Sequence, residues 1–321
     1  MKQERCPICG SSEISIFLGD VRDYITGEKF TVSRCRACDV AFTSPQPENM
    51  ELYYPAKYRR YSKWVLIILR KLYHYQTKRW SKFFTKPGTV LEMGCGDGLM
   101  LDALRSRGWN VSGTERTEKM ADFARNHFGL QVYVGGLEEI PREKKFDLII
   151  VFQVLEHLND PVASLKQCAD LLERGGKLII AVPNFSSWQS RYSSSYWFHL
   201  DAPRHLFHFS PTSLRNALKM AGLKISSISY ISFEHDPYGW IQSIANKHFN
   251  NKNRLTRQLM KLDRFSFGSF VLVLASMILA IPILILSMVS WTAHSGAIMQ
   301  VVSSCSSDVN KDNVQKETLY A

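Results

Sequence analysis

Three glycines that follow a short apolar run have the residue type and spacing of a ligand-binding turn. Residues 90–93 have the composition of a buried strand, Gly94, Gly96 and Gly98 come next, and a helix pattern follows. Glycine lets the backbone turn tightly and approach a ligand closely, because no Cβ is in the way. Glu115 ends a second strand pattern about twenty residues later, where a doubly wound fold places the acid that binds ribose hydroxyls. The spacing predicts a nucleotide-type cofactor site, with a solvated acid at a strand end as the alternative for Glu115.

Four of the seven cysteines form two Cys-x-x-Cys pairs, Cys6 with Cys9 and Cys35 with Cys38. Each tight turn presents two sulfurs to one ion, so the pattern predicts a tetrahedral zinc site, with a hairpin of strands near residues 14–18 and 30–33 between the pairs. Four cysteines leave no open position for a substrate, which makes the predicted zinc structural. Disulfides and free thiols are the alternatives. The first residues resemble no signal peptide, and a cytosolic chain argues against disulfides.

Several segments together resemble the class I S-adenosylmethionine-dependent methyltransferases. They are the glycine turn at residues 92–98, the acid Glu115, the apolar run with Glu-His at 146–158, and residues 172–180. The resemblance extends over residues 86–232, in the family's order and spacing. It implies an α/β fold, a doubly wound, seven-stranded Rossmann-like sheet, with S-adenosylmethionine as cofactor. Nicotinamide-binding domains usually have Gly-x-Gly-x-x-Gly, which this chain lacks.

The N-terminal segment is similar to the zinc-ribbon start of certain bacterial methyltransferases of sugar and natural-product pathways. This likeness rests on the cysteine pairs, on residues 42–47 with Tyr53 and Tyr54, and on residues 203–210. Asp39 departs from the glycine that often follows the second pair, but aspartate tolerates the same left-handed backbone.

The class I resemblance also implies which residues bind the cofactor. In many relatives an aspartate holds the adenine amino group where this chain has Leu137, so Leu137 is expected to pack on the ring, with Glu138 as a substitute for the polar contact. Cys95 is expected to be a small packing residue within the loop. Asp97 and Gln153 are expected to contact the methionine end of the cofactor. The predicted cofactor-binding residues are Glu92, Gly94, Cys95, Gly96, Asp97, Gly98, Glu115, Arg116, Leu137 and Gln153.

Three histidines are candidate catalytic residues. His157 follows Glu156 in a segment that borders the substrate in ubiquinone-type O-methyltransferases, and its ordinary pKa suits removal of a hydroxyl proton. Some relatives bind a metal through a further Glu that Gln153 replaces here, which argues against a metal. His205 and His208 lie in an aromatic segment after the fifth strand. They are predicted to act as a base or to bind substrate, while a structural role, with Arg204 holding the segment to the domain, and a metal site are the alternatives.

The hydrophobic tail is the most unusual segment. Residues 265–307 contain no Lys, Arg, Asp or Glu, and about 20 apolar residues are enough to cross a bilayer. A return strand after the tail would keep both ends on one side, which favours a monotopic hairpin at the membrane. Pro282 lies in the middle of the run. A single span, and a buried or oligomer-forming helix pair, are the alternatives.

The remaining boundaries follow from composition. Asp160 and Thr117 are predicted N-caps, and residues 177–182, after a glycine pair, are predicted as the fifth strand. The connecting helix is expected to cap the cofactor cleft, with a membrane-surface or nucleic-acid-binding helix as alternatives. The predicted segments are a zinc ribbon 1–48, a basic and aromatic connecting helix 49–86, a catalytic domain 87–232 with a lid segment 185–210, an insertion 233–294 with a membrane-associated part 265–291, a returning last strand 295–304 and a disordered tail 305–321.

The formal net charge of +11 favours an anionic partner such as a phosphate, a nucleic acid or a membrane face. The sequence therefore predicts a cytoplasmic, membrane-associated methyltransferase that O-methylates a sugar, a lipid-linked saccharide or a lipid-like molecule. An RNA methyltransferase is the second hypothesis, although an apolar tail has no use on RNA. A non-catalytic scaffold is the third, and its prediction is a failure to bind the cofactor. The oligomeric state stays open.

Overall fold

A computed structural model describes residues 4–54, 63–249, 253–260, 262–263 and 267–306. The predicted tail at 305–321 lies mostly outside these residues, as does the middle of segment 49–86. In chain order the strands are β1 Ile14–Arg22, β2 Lys29–Cys35, β3 Ala41–Ser44, β4 Thr89–Met93, β5 Asn110–Glu115, β6 Gln131–Val134, β7 Phe146–Phe152, β8 Leu172–Pro183, β9 Phe207–His208, β10 Leu223–Ser229 and β11 Ile298–Cys305.

The helices of the described residues surround these strands. Short 3-10 turns at Met50–Tyr53, Leu137–Glu139, Leu155–His157, Ser194–Tyr196 and Phe198–Leu200 accompany them. The helices are α1 Lys63–Ser81, α2 Leu99–Arg105, α3 Glu118–Phe128, α4 Pro161–Leu171, α5 Trp188–Ser193, α6 Pro211–Met220, α7 Asp236–Phe249, α8 Arg254–Leu259 and α9 Phe267–Thr292.

The central sheet has seven strands in the order β10-β11-β8-β7-β4-β5-β6. β4 pairs in parallel with β5 and with β7, while β11 pairs antiparallel with β8 and β10. The inner strands β4 and β7 are mostly apolar and mostly buried, as is typical of parallel strands covered on both faces. This arrangement confirms the predicted doubly wound α/β sheet. The strand order reverses beside β4, so a crevice, here called the cofactor cleft, opens at its carboxyl end between β5 and β7.

A second sheet joins the N-terminal module to the catalytic domain. Its order is β1-β2-β3-β9, and β9 belongs to the lid segment 185–210. Ala41 and Phe42 of β3 pair with His208 and Phe207 of β9. The apolar core is also continuous, because Cys6 and other ribbon residues belong to the same buried cluster as residues of β7 and β8. The N-terminal residues 4–48, here called the zinc-ribbon module after the ion predicted for it, therefore pack as part of the main body.

Local structure differs from expectation at three places. β8 begins at Leu172 and includes Gly175 and Gly176, which the sequence predicts to end the preceding helix. Thr117 occupies the N-cap position of α3, but its hydroxyl donates to Glu115 and caps no helix amide. By contrast Asp160 caps α4 as predicted, accepting a hydrogen bond from the amide of Ala163 at 2.9 Å.

The third difference is in the hydrophobic tail, where a helix hairpin is predicted. The described part is one helix, α9, which continues through Pro282. A proline inside a helix removes one hydrogen bond, and the turns on both sides retain theirs. The chain then returns as β11, so the segment predicted at 295–304 lies in the central sheet.

Candidate active site

The glycine loop lies at the carboxyl end of β4, where the cofactor cleft opens. Gly96 has φ of +55° and Gly98 has φ of +82°, values that favour glycine. A Cβ on Gly98 would lie 2.5 Å from Leu130 Cδ1, so this glycine allows close packing between the loop and its neighbours. A Cβ on Gly96 would meet no atom within 4 Å, which leaves space beside the loop for a ligand.

Three carboxyl groups surround this loop. Glu92 is buried in β4, and its Oε2 has no hydrogen-bond partner among the described residues. Burial, with Asp97 and Glu115 nearby, raises the pKa of Glu92 well above its ordinary value. Glu115 accepts hydrogen bonds from the amides of Gly96 at 3.1 Å and Thr117 at 2.9 Å. A group of acids with a buried, unsatisfied oxygen fits a cationic ligand, and S-adenosylmethionine carries both an ammonium and a sulfonium.

Gln153, directly after β7, has a strained backbone and a buried amide. Its φ is +55°, although it is not glycine, and its backbone N–H donates to the carbonyl of Ala181 at 2.8 Å. Its Nε2 is buried without a hydrogen-bond partner in the part of the chain that the structure describes. Strained backbone and unsatisfied donors concentrate at binding sites, so this amide is available to a ligand in the cleft.

The other predicted cofactor residues lie around the same cleft. Leu137 is buried in the 3-10 turn after β6, and Glu138 turns back to accept from the amide of Gly136 at 3.1 Å. Cys95 is buried within the loop, where a Cβ on Gly113 would lie 2.7 Å from its sulfur, and burial raises the pKa of its thiol. This geometry agrees with a packing role for Cys95 and with an apolar contact surface at Leu137.

A second group lies across the cleft, after β7. One ligand atom from each of Glu156, His157 and His205 lies within 4.8 Å of the others. The ring centroids of His157 and His205 are 4.6 Å apart. His157 Nδ1 donates to the carbonyl of Arg204 at 2.8 Å, which fixes the tautomer and leaves the lone pair on Nε2. His157 is half-buried, whereas His205 and His208 are buried.

The three candidate histidines have different surroundings. His205 Nδ1 donates to the carbonyl of His199 at 2.8 Å, and burial together with the nearby His157 lowers its pKa well below the ordinary value. His208 lies in β9 with its Nε2 3.0 Å from the hydroxyl of Thr43, and burial lowers its pKa to about 3. The structure thus brings His157 and His205 together, and it places His208 between the lid segment and the zinc-ribbon module.

Arg204 joins the lid segment to the zinc-ribbon module through a buried ion pair. Its guanidinium lies 2.7 Å from Asp23 and 2.8 Å from Asp201, and the side chains of Arg204 and Asp23 are completely buried. Arg204 Nη1 also donates to the carbonyl of Tyr53 at 2.8 Å. The backbone carbonyl of this arginine is the acceptor for His157. Asp23 has no sequence signal, because nothing in the spacing relates residues 23 and 204.

Tyr54 is a further residue that the sequence analysis assigned no role. Its hydroxyl lies 3.4 Å from His157 Nδ1, and the guanidinium of Arg116 lies 5.6 Å from the centroid of its ring. Arg116 itself is exposed directly after β5. A residue of the N-terminal segment therefore contacts both sides of the cleft.

The four predicted zinc ligands converge at one point. Their sulfurs lie within 4.8 Å of one another, and the pairs Cys6–Cys38 and Cys9–Cys35 are each 3.6 Å apart. A tetrahedral site with Zn–S bonds of about 2.3 Å places sulfurs about 3.8 Å apart, so the cluster fits this ion. Three of the four are buried.

The chain is similar to known methyltransferases. A family model described as a methyltransferase domain matches residues 67–228, half of the chain. The ubiquinone biosynthesis O-methyltransferase of Coxiella burnetii is 29% identical over 157 residues, which cover 45% of this chain and 67% of that protein. The protein of the same name from Xanthomonas axonopodis is 28% identical over 158 residues, or 45% and 66%. A methyltransferase structure from Archaeoglobus fulgidus has a TM-score of 0.47 at 21% identity and covers 75% of this chain and 99% of its own.

Proposed function

The chain belongs to the methyltransferase-domain family and is an S-adenosylmethionine-dependent methyltransferase, and we propose that it methylates a hydroxyl oxygen of a small, lipid-like acceptor at a membrane surface. The observation that carries this proposal is the fixed tautomer of His157 beside the cofactor cleft. A methyl acceptor must lose its proton as the oxygen is alkylated, and an imidazole whose Nε2 carries no hydrogen can remove it.

The cofactor supplies an already activated methyl group, so the protein's task is binding and alignment. Glu115 would bind the ribose hydroxyls. Glu92 and Asp97 would face the cationic methionine end, with the amide of Gln153 as a hydrogen-bond donor. The sequence predicts these residues as cofactor-binding. The grouping of the three acids and the unsatisfied amide of Gln153 support the specific roles proposed here.

His157 is the proposed general base. Its Nε2 accepts the hydroxyl proton, while Nδ1–H keeps its hydrogen bond to the carbonyl of Arg204 and holds the ring in place. The carboxylate of Glu156 and the ring of His205 are close enough to stabilise the imidazolium that forms. His208, which bonds Thr43, would act on the position of the lid segment.

Replacement of the base tests this assignment. His157→Gln should lower kcat by about 10²–10⁴-fold, because that is the usual contribution of a positioned base, and should leave the Kd of the cofactor near the wild-type value. His127→Gln, which changes an exposed histidine on α3, is the control. Wild-type turnover in His157→Gln would exclude His157 as the base.

Glu156, His157 and His205 could instead hold a divalent cation. The two histidines offer one nitrogen each, and Glu156 offers a carboxylate oxygen. Elemental analysis of the purified protein separates the two possibilities. One zinc per chain that is absent from a variant without Cys6, Cys9, Cys35 and Cys38 agrees with the base mechanism. It also agrees with the structural zinc that we propose for these four cysteines. A second metal ion that is absent from Glu156→Gln would contradict the base mechanism and support one in which a metal ion binds the acceptor.

The proposed acceptor class draws on the names of the relatives. The curated proteins above are named as O-methyltransferases of ubiquinone biosynthesis, which supports oxygen as the methylated atom and a lipid-soluble molecule as the acceptor. A panel with labelled cofactor would contain a catechol with a long alkyl chain, a polyprenyl-linked saccharide and a transfer RNA. Transfer to the alkyl catechol is expected. Transfer to the saccharide alone or to the RNA alone would support the corresponding alternative.

The membrane part of the proposal rests on α9. Residues Val273–Thr292 are long and apolar enough to cross a membrane by length and composition, and 17% of the most apolar window is buried. Met277, Ile278 and Ile281 are each at least 70% exposed. A contiguous exposed apolar surface of this kind is typical of an interaction with a membrane or another protein.

Both ends of α9 are attached to the same folded body. Near its start, a Cβ on Gly268 would lie 3.1 Å from Nη1 of Arg254 in α8. At its end, Trp291 Nε1 donates to the buried Asp236 at 2.9 Å, and the same carboxylate accepts from the amide of Ala297 at 2.8 Å. This helix of 26 residues is about 39 Å long. Attachment at both ends favours a helix in the plane of the membrane over a single span.

The apolar surface continues from α9 onto α1. The ring of Phe233 lies 4.8 Å from that of Trp291 and 6.0 Å from that of Tyr75. Ile67 and Ile68 of α1 are exposed as well. α1 also presents exposed lysines, so the combined face is suited to the cytoplasmic, anionic side of a bilayer.

Vesicle flotation tests this orientation, with phosphatidylcholine vesicles that contain phosphatidylglycerol. The double variant Ile278→Asp/Ile281→Asp should lower the bound fraction about tenfold or more, because each isoleucine contributes about 1.5–3 kcal/mol on burial. Ile16→Asp, on an equally exposed residue of β1, is the control. Resistance of the bound wild type to alkaline carbonate would indicate a span, and a dimer that the double variant dissociates would indicate an oligomer contact.

A further inference from the structure

Tyr54 contacts residues on both sides of the glycine loop. Its ring faces the guanidinium of Arg116, which directly follows β5, and its hydroxyl lies 3.4 Å from Nδ1 of His157, which follows β7. In the central sheet β4 lies between β5 and β7. The side chain of Tyr54 therefore extends across the carboxyl end of β4, where the glycine loop begins.

The zinc-ribbon module holds Tyr54 in this place. The preceding residue, Tyr53, is buried, and its ring packs edge-on against Phe30 of β2 with centroids 5.8 Å apart. The carbonyl of Tyr53 accepts from the buried Arg204 at 2.8 Å. The backbone N–H of Tyr54 donates to the carbonyl of Glu51 at 3.1 Å and closes the 3-10 turn. Both the module and the lid segment thus determine the position of Tyr54.

We propose that Tyr54 covers the bound cofactor, so that the N-terminal module completes the cofactor site of the methyltransferase domain. This inference rests on the proposed function, because it assumes that S-adenosylmethionine occupies the cleft. Space is open beside Gly96, and the carboxyl groups of Glu92, Asp97 and Glu115 lie close together at the loop. An aromatic ring across this opening excludes water and offers a π face to a cationic ligand.

The inference makes Tyr54 a binding and positioning residue with two separable parts. The ring covers the cleft, and the hydroxyl lies beside the nitrogen of His157 that already donates to the carbonyl of Arg204. Loss of the ring should therefore weaken cofactor binding, whereas loss of the hydroxyl alone should leave binding nearly unchanged. A cation–π contribution also predicts that S-adenosylmethionine, which is charged at sulfur, loses more affinity than S-adenosylhomocysteine, which is neutral there.

Calorimetry with both ligands on the full-length protein tests the proposal. Tyr54→Ala and Tyr54→Leu should raise the Kd of S-adenosylmethionine about tenfold, and that of S-adenosylhomocysteine about threefold, as expected for a cation–π contact in a desolvated site. Tyr54→Phe should stay within about twofold, since it keeps the ring. Tyr53→Phe, which removes the hydroxyl that donates to Glu28 in the same turn, is the matched control.

The outcomes separate this inference from the proposed function. A folded Tyr54→Leu protein that binds both ligands as the wild type does would overturn the proposal and leave the methyltransferase assignment intact. Equal losses for both ligands would retain a covering role and remove the cation–π contribution. A well-folded wild type that binds neither ligand would contradict both the cofactor site and the role of Tyr54.

Discussion

The glycine end of the cofactor cleft takes its residues from two neighbouring stretches of the chain, whereas the histidine end takes them from segments far apart in sequence. Glu92 and Glu115 lie in β4 and β5, which are adjacent in the chain and in the sheet, and Gly96 follows β4. His157 depends on Arg204 and lies beside Tyr54, more than 40 and 100 residues away respectively. One end is thus encoded locally, while the other exists only once the zinc-ribbon module and the lid segment pack together.

Because the two ends of the cleft are assembled from different parts of the chain, the acceptor side of a methyltransferase domain can change independently of the cofactor side. The glycine end is built from short-range spacing along two consecutive strands, as in doubly wound nucleotide-binding folds. The histidine end, where we propose that the acceptor binds, is assembled by β9, which adds a strand of the catalytic domain to the ribbon sheet. Changes in the added module can therefore reshape the acceptor side without disturbing the loop at β4.

The largest expected effect comes from breaking the buried ion pair that assembles the histidine end. Arg204→Met leaves Asp23 buried without its guanidinium partner and should lower the free energy of unfolding by about 3–5 kcal/mol. Chemical denaturation measures this loss. Lys29→Met, which removes an exposed ion pair with Asp20 in the same module, should cost about 0–1 kcal/mol. Equal losses in the two variants would show that the ion pair does not hold the module.

A smaller effect is expected at the glycine end, on binding and not on stability. Glu115→Ala should raise the Kd of S-adenosylmethionine by about 10–100-fold, because hydrogen bonds to a charged group contribute about 1.5–3 kcal/mol. Calorimetry is the measurement. Glu118→Ala removes an exposed acid in the first turn of α3 and should leave the Kd unchanged. Unchanged binding in Glu115→Ala would mean that the ribose is held elsewhere.

The smallest expected effect is a change in pH dependence at Glu92. Its raised pKa means that the folded state holds a proton that the unfolded state releases. Stability of the ligand-free wild type should therefore fall as pH rises from the ordinary glutamate pKa toward the folded value. Glu92→Gln should lack this fall, while Glu143→Gln on the surface should retain it. Parallel pH profiles for wild type and Glu92→Gln would exclude a raised pKa at this site.

Where the sequence analysis succeeds, the deciding interactions are short-range. The resemblance to class I methyltransferases implied the central sheet, and Asp160 before Pro161 predicted the start of α4. Where it fails, a tertiary contact outweighs the local preference. Thr117 donates to Glu115, whose carboxylate is turned toward the glycine loop. The glycine pair lies inside β8, which pairs with β7 on both sides of it. Pro282 stays within α9, where a hairpin was expected.

Local patterns in the sequence are sufficient to indicate the family, the cofactor and the convergence of four cysteines, because glycine spacing, strand ends and Cys-x-x-Cys turns are properties of a few consecutive residues. The folded chain is needed to show that Tyr54, His157 and Arg204 meet, that β9 joins the zinc-ribbon module to the lid segment, and that both ends of α9 are attached to one body. These contacts depend on packing between residues far apart in the chain, and no local pattern encodes the distance between their side chains.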